Sequence, residues 1–228
     1  MAISLELPAP ARRAFDALAG DFARVFGARL TAVVAYAPRR AAVFTTSLTA
    51  DDLDALSVLT ETWHRNGLDT PLVITVDEFS RSLDVFPLEY QAIMTHHAVI
   101  AGTPPFAGVR IKDEDLRRAC EVQARGHLIH VRERWLDACG HDHDLDRLLV
   151  HSAMPLRVLL SHVATLDGHA DARLDDFVLA HFSDDAEILL AVLALEHNPD
   201  AAHGLGRRMA AYLSACERIW AFVDRWHA

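Results

Sequence analysis

The chain has 228 residues, of which 51% are hydrophobic and 24% charged, and its formal net charge is -10. That is enough apolar material for one large or two small globular domains. The acidic balance excludes a general nucleic-acid or membrane-surface binder, which leans on clustered Lys and Arg. Lys112 is the only lysine, and Cys120, Cys139 and Cys216 are too few and too widely spaced for a disulfide framework or a zinc knuckle. No basic-then-apolar pattern opens the chain and no run reads as long enough to cross a bilayer. A reduced cytoplasm is therefore the expected location.

The first half mixes two periods. Phe15, Leu18, Phe22, Val25 and Phe26 mark one face of a helix from about Pro10 to Phe26, closed by Gly27. Strands are predicted at Leu30–Ala37 and Ala42–Leu48, joined by a tight basic turn. Thr49 is placed to cap a helix that buries Leu53, Leu56, Leu59 and Trp63 and stops at Asn66-Gly67. Pro71 opens a strand over Leu72–Val76. The stretch Leu83–Gly102 reads as one or two further strands, with Pro87 at an edge or break, and Gly102-Thr-Pro-Pro is a hard stop.

The second half reads as helix. Leu116, Cys120, Ala124, Leu128, Val131 and Trp135 share a face of a long helix from Asp113 to Gly140. A second stripe runs from Leu145 to Val163, interrupted at Pro155. Helices follow at about Leu174–Phe182, Asp184–His197 and Gly206–Trp226. In the last of these, Met209, Leu213, Cys216, Trp220 and Val223 are predicted to face inward. The fold class is therefore α+β, a small mixed-sheet domain at 1–108 followed by a helical bundle at 109–228.

No acidic residue lies between Asp21 and Asp51, across the whole predicted hairpin. Two-metal phosphoryl or nucleotidyl transfer needs clustered carboxylates to hold Mg²⁺. The hairpin supplies Ala, Val, Phe and Thr instead.

Three segments carry a family resemblance: VVAYAPRR (Val33–Arg40), SLDVFPLEYQAI (Ser82–Ile93) and HAVIAGTPPFAGVRIKDEDLRRACE (His97–Glu121). The chain resembles the nucleotidyltransferase fold of the DNA polymerase beta superfamily. The likeness is to the small bacterial minimal type with a C-terminal helical domain. In active members the first strand ends in Gly-Ser, which holds the triphosphate, and the next strand carries two metal-binding aspartates at D-x-D spacing. A third acid comes from a later strand. Here the Gly-Ser position aligns with Ala37-Pro38, the D-x-D position falls within AAVFTTSL, and the third-acid region keeps Asp84 and Glu89. The resemblance thus implies a degenerate member, catalytically inactive, acting as a nucleotide- or protein-partner-binding module. Tyr36, Arg39, Arg40, Asp84 and Glu89 are its candidate nucleotide contacts, with no catalytic residue, metal or cofactor assigned.

Two enzyme readings stand beside it. One is a nucleotidyltransferase using Mg²⁺ and nucleotide through displaced carboxylates among Asp51, Asp52, Asp77, Glu78 and Asp84. The other rests on Arg157-x-x-x-x-His162, which matches the spacing of HEPN-type ribonucleases, although on a straight helix those side chains diverge. The run His141-Asp142-His143-Asp144, with Asp146 and His151 nearby, has metal-ligand residue types without a fixed ligand spacing. It reads equally as an acidic helix start. Among the histidines His96-His97, His127 and His130 stand out, and His127, beside Leu128 at the edge of a buried stripe, reads as a satisfied semi-buried side chain. The apolar bundle with its C-terminal tryptophans suggests a third reading, a purely structural homodimer or adaptor.

Overall fold

The computed structural model describes residues 3–170 and 172–226, and the chain divides into two compact units, Met1–Lys112 and Asp113–Ala228. The first is built on a mixed sheet in the order β1-β5-β2-β3-β4. Strand β1 (Ile3–Ser4) precedes helix α1 (Ala9–Phe26). Strands β2 (Leu30–Ala35) and β3 (Ala41–Thr45) form an antiparallel hairpin. Helices α2 (Ala50–Ser57) and α3 (Thr60–Arg65) then cross to β4 (Leu72–Thr75), which is parallel to β3. Helices α4 (Val76–Arg81) and α5 (Pro87–Thr95) lead to β5 (His96–Gly102), antiparallel to β2 and parallel to β1.

The hairpin's composition follows from what covers it. Successive side chains of a strand point to opposite faces. Val33, Ala35, Ala41 and Val43 pack with Phe15, Leu18, Phe22 and Phe26 of α1 and with Leu56, Trp63 and Leu68. On the other face Phe44 meets Phe79 and Phe106 edge-on, at 5.3 and 5.5 Å, and Tyr90 lies 5.0 Å from Phe79. From Ala32 to Ala35 and through all of β3 every residue is buried. Strands covered on both sides read as continuous apolar runs rather than alternating ones.

Polar contacts fasten the helices to this core. The Trp63 indole donates to the buried Asp21 carboxylate at 2.8 Å, joining α3 to α1. Arg29 grips both oxygens of Asp52, each at 2.7 Å, and Thr49 and Asp52 form a reciprocal capping box at the start of α2.

The segment expected to be strand from Leu83 to Gly102 is so only from His96. Residues 87–95 form α5, whose buried Pro87, Tyr90 and Ile93 recur at helical spacing. Pro87 sits in the first turn, where its missing N–H leaves nothing unsatisfied. The strand over LVITV likewise ends at Thr75, because Thr75 and Glu78 form a second capping box that starts α4.

The second unit comprises α6 (Asp113–Asp137), α7 (Asp142–Leu166), α8 (Leu174–His181), α9 (Ala186–Ala194) and α10 (Met209–Asp224). Helix α6 buries the stripe predicted for it, Leu116 to Val131. On α10 Met209, Cys216 and Val223 are buried as expected, joined by Tyr212 and Ile219, whereas Leu213 and Trp220 are only partly buried. Buried Asp146, in the second turn of α7, accepts the backbone N–H groups of Gly204 (2.9 Å) and Gly206 (2.7 Å). Gly206 is required there, since a Cβ would stand 2.6 Å from the Cβ of Leu145.

Cys120 and Cys216 are buried and free, and burial pushes both thiols up to about 12. Among the described residues α7 is long and apolar enough to cross a membrane, with mean hydropathy 1.2, and half of that window is buried within the protein.

The backbone at Gly102 provides a test of the sheet unit. Its φ is +71°, and a Cβ would fall 2.0 Å from the carbonyl oxygen of Thr31 on β2, whereas Gly67, at φ +81°, faces open space. Gly67→Ala should cost about 1 kcal/mol from backbone strain alone. Gly102→Ala should cost at least about 3 kcal/mol, because the strands must also separate. Urea denaturation of the two variants checks the difference.

Candidate functional site

The turn between β2 and β3 is closed by Tyr36 N–H to Arg40 C=O (3.0 Å) and Arg40 N–H to Ala37 C=O (3.3 Å). Pro38, Arg39 and Arg40 are exposed at its tip. Both arginines turn to the same acid. Arg39 donates to Asp69 through Nε at 3.1 Å, and Arg40 Nε lies 3.8 Å from the other carboxylate oxygen. The Asp69 N–H also donates to the Arg39 carbonyl at 2.8 Å. The basic turn therefore carries its own counter-ion, from the loop after α3. Sequence reading gave no role to Asp69, because the pairing spans thirty residues and depends on how α2 and α3 return the chain.

Tyr36 is half-buried at the root of this turn. Burial and the nearby charge of Glu89, in the first turn of α5, hold its hydroxyl above the usual phenol pKa, against the pull of Arg40. The structure thus brings Tyr36, Arg40 and Glu89 into one electrostatic neighbourhood. Asp84 is exposed in the turn between α4 and α5.

Four other acids of this unit, Asp51, Asp52, Asp77 and Glu78, are committed locally. Asp52 is held far below the usual carboxylate range, first by the Arg29 guanidinium and then by Thr49. Glu78 is lowered chiefly by the Thr75 backbone N–H. Asp77 pairs with Arg81 at 3.5 Å along α4, and Asp51 is exposed in the first turn of α2. Each supports a helix start or neutralises an arginine. Beside them an open groove of about 530 Å³ is lined by Leu48, Val73, Ile74, Arg81, Phe86 and Tyr90, among others. Val85 and Phe86 are exposed at 62% and 53%.

In the helical unit Arg157 and His162 engage different neighbours. Arg157 donates to Glu196, just beyond α9, and His162 shares a 2.7 Å hydrogen bond with Gln123 of α6. Within one chain they are not brought together. The His141–Asp144 run lies at the start of α7, where Asp142 pairs with Arg207 (3.2 Å) and His141 and Arg147 both lie 3.8 Å from Asp144.

Sequence reading missed a cavity of about 280 Å³ between α6 and α7. Gly126, which contributes no side chain, and Pro155, which interrupts the hydrogen-bond ladder of α7, both line it. His127, His130, His151 and Arg134 also line it, and His127 hydrogen-bonds the hydroxyl of buried Tyr212 at 2.8 Å. Among the described residues, one group of three metal-ligating side chains converges, Asp167, His169 and His181 of the helical unit. No known family, curated protein or solved structure matches the chain.

Burial, with the positive charges of His130 and Arg134, pushes the His127 imidazole down to about 4 from its ordinary 6.5. Between those values the unfolded chain binds a proton that the folded chain refuses, so stability falls as pH drops. At pH 5 this one group should cost about 2 kcal/mol relative to pH 7. His127→Gln should shrink that loss, and urea midpoints at the two pH values measure it.

Proposed function

We propose that the sheet unit is a degenerate nucleotidyltransferase-like module that binds a partner rather than transferring a nucleotidyl group. The observation that carries this reading is Asp69, which pairs with Arg39 and Arg40 in the turn where a triphosphate would be cradled. An internal carboxylate there competes with phosphate for the same guanidinium groups. Pro38 withholds a backbone donor that phosphate would use, and Ala37 adds a Cβ where close approach is wanted.

The strand that would supply paired metal ligands is covered on both faces, and Asp52, Asp77 and Glu78 serve caps and arginines. Without converging carboxylates, two Mg²⁺ ions have no clamp to balance the charge of a transferring phosphoryl group. The open groove beside α4 and α5, with exposed Phe86 in its lining, is the surface best suited to a protein partner in this reading. Free Cys120 and Cys216, both buried, suit a reducing cytoplasm.

The competing carboxylate gives the test. Wild-type protein should bind ATP with Mg²⁺ weakly and release no pyrophosphate. Asp69→Asn should strengthen ATP binding on the order of fivefold by freeing the two arginines, the worth of one exposed ion pair. Calorimetric titration and a pyrophosphate assay read both. Wild-type turnover that disappears with Asp84→Asn or Glu89→Gln would instead establish an enzyme with displaced acids.

A further inference from the structure

We propose that Asp167, His169 and His181 form a binding site for a divalent transition-metal ion of the zinc type, independent of the reading of the sheet unit. One ligand atom from each residue lies within 4.8 Å of the others. Asp167 Oδ2 is 3.2 Å from His169 Nδ1 and 3.6 Å from His181 Nε2. Ligands about 2.1 Å from a tetrahedral Zn²⁺ stand roughly 3.4 Å apart, so both spacings match ligand edges before any ion arrives.

The backbone explains why two of the three are held in place. Helix α7 ends in a Schellman motif: Gly168, at φ +79°, donates its N–H to Thr165 C=O at 3.1 Å, and His169 donates to Ala164 C=O at 2.7 Å. This closure fixes Asp167 and His169 on either side of one glycine. The third ligand comes from the last residue of α8. Phe177, one turn earlier on the same face, stacks on the His181 ring at 4.5 Å and lies 5.9 Å from the His169 ring. Phe222 of α10 meets His181 edge-on at 5.7 Å. Phe177 therefore neighbours both imidazoles.

Electrostatics act in the same direction. The C-terminal ends of α7 and α8 meet at this point, and each presents the negative end of its macrodipole. Two imidazoles and one carboxylate suit zinc, copper, nickel or iron, whereas magnesium favours an all-oxygen set. Three protein ligands leave at least one coordination position open, and His169, with 49% of its side chain exposed, opens it to solvent.

The test uses the full chain without a histidine tag, stripped of metal and titrated with Co²⁺ and then Zn²⁺. One Co²⁺ per chain should give visible d–d absorption and shift the ring protons of His169 and His181, and Zn²⁺ should displace it. His169→Ala and Asp167→Asn, neither of which removes core volume, should each weaken Zn²⁺ binding at least about tenfold, since even outer-shell partners cost that much. His143→Ala, in the histidine-containing start of α7, should leave affinity unchanged. The site is overturned if wild-type protein binds no Co²⁺, if binding survives both substitutions, or if His143→Ala abolishes it.

Discussion

The sheet unit depends on one constraint: its central hairpin is sealed on both faces. Helix α1 and the α2–α3 segment cover one side, and the Phe44, Phe79, Phe106 and Tyr90 cluster covers the other. A carboxylate on β3 would have to leave water with no compensating cation, at a cost of several kcal/mol. The packing that gives the unit its stability thus keeps carboxylates off this strand. Charge is pushed to the rim, where Arg29 meets Asp52 and where Arg39 and Arg40 meet Asp69.

The helical unit solves the same problem differently. Its buried polar groups are few and mostly satisfied: Asp146 receives two backbone N–H groups, and His127 meets Tyr212. Where α6 and α7 fail to close, at Gly126 and Pro155, a cavity remains and histidines collect around it. Where α7 and α8 end, the chain gathers an aspartate and two histidines over a phenylalanine. In both places the unusual chemistry sits where regular helix packing stops.

The legible parts of the sequence were those governed by local rules. The α6 stripe, the Thr49 cap and the Gly27 stop could be read because periodicity and capping act over a few residues. The error at 87–95 had a local cause: a short apolar run with a proline fits an edge strand and a first helical turn equally well. The candidate site was less legible. Arg39 and Arg40 were visible as a basic turn, but their partner Asp69 is thirty residues away. Asp167, His169 and His181 carry no recognisable spacing, because the Schellman turn and the length of α8, rather than a motif, bring them together.

The proposed non-catalytic role of the sheet unit requires that it hold no catalytic metal pair. Crystals soaked with ATP and Mn²⁺ test that directly, through the anomalous signal of manganese. No paired manganese peaks are expected at the β2–β3 turn or along β3. Two ions bridging a triphosphate there, held by acids such as Asp84 and Glu89, would contradict that role.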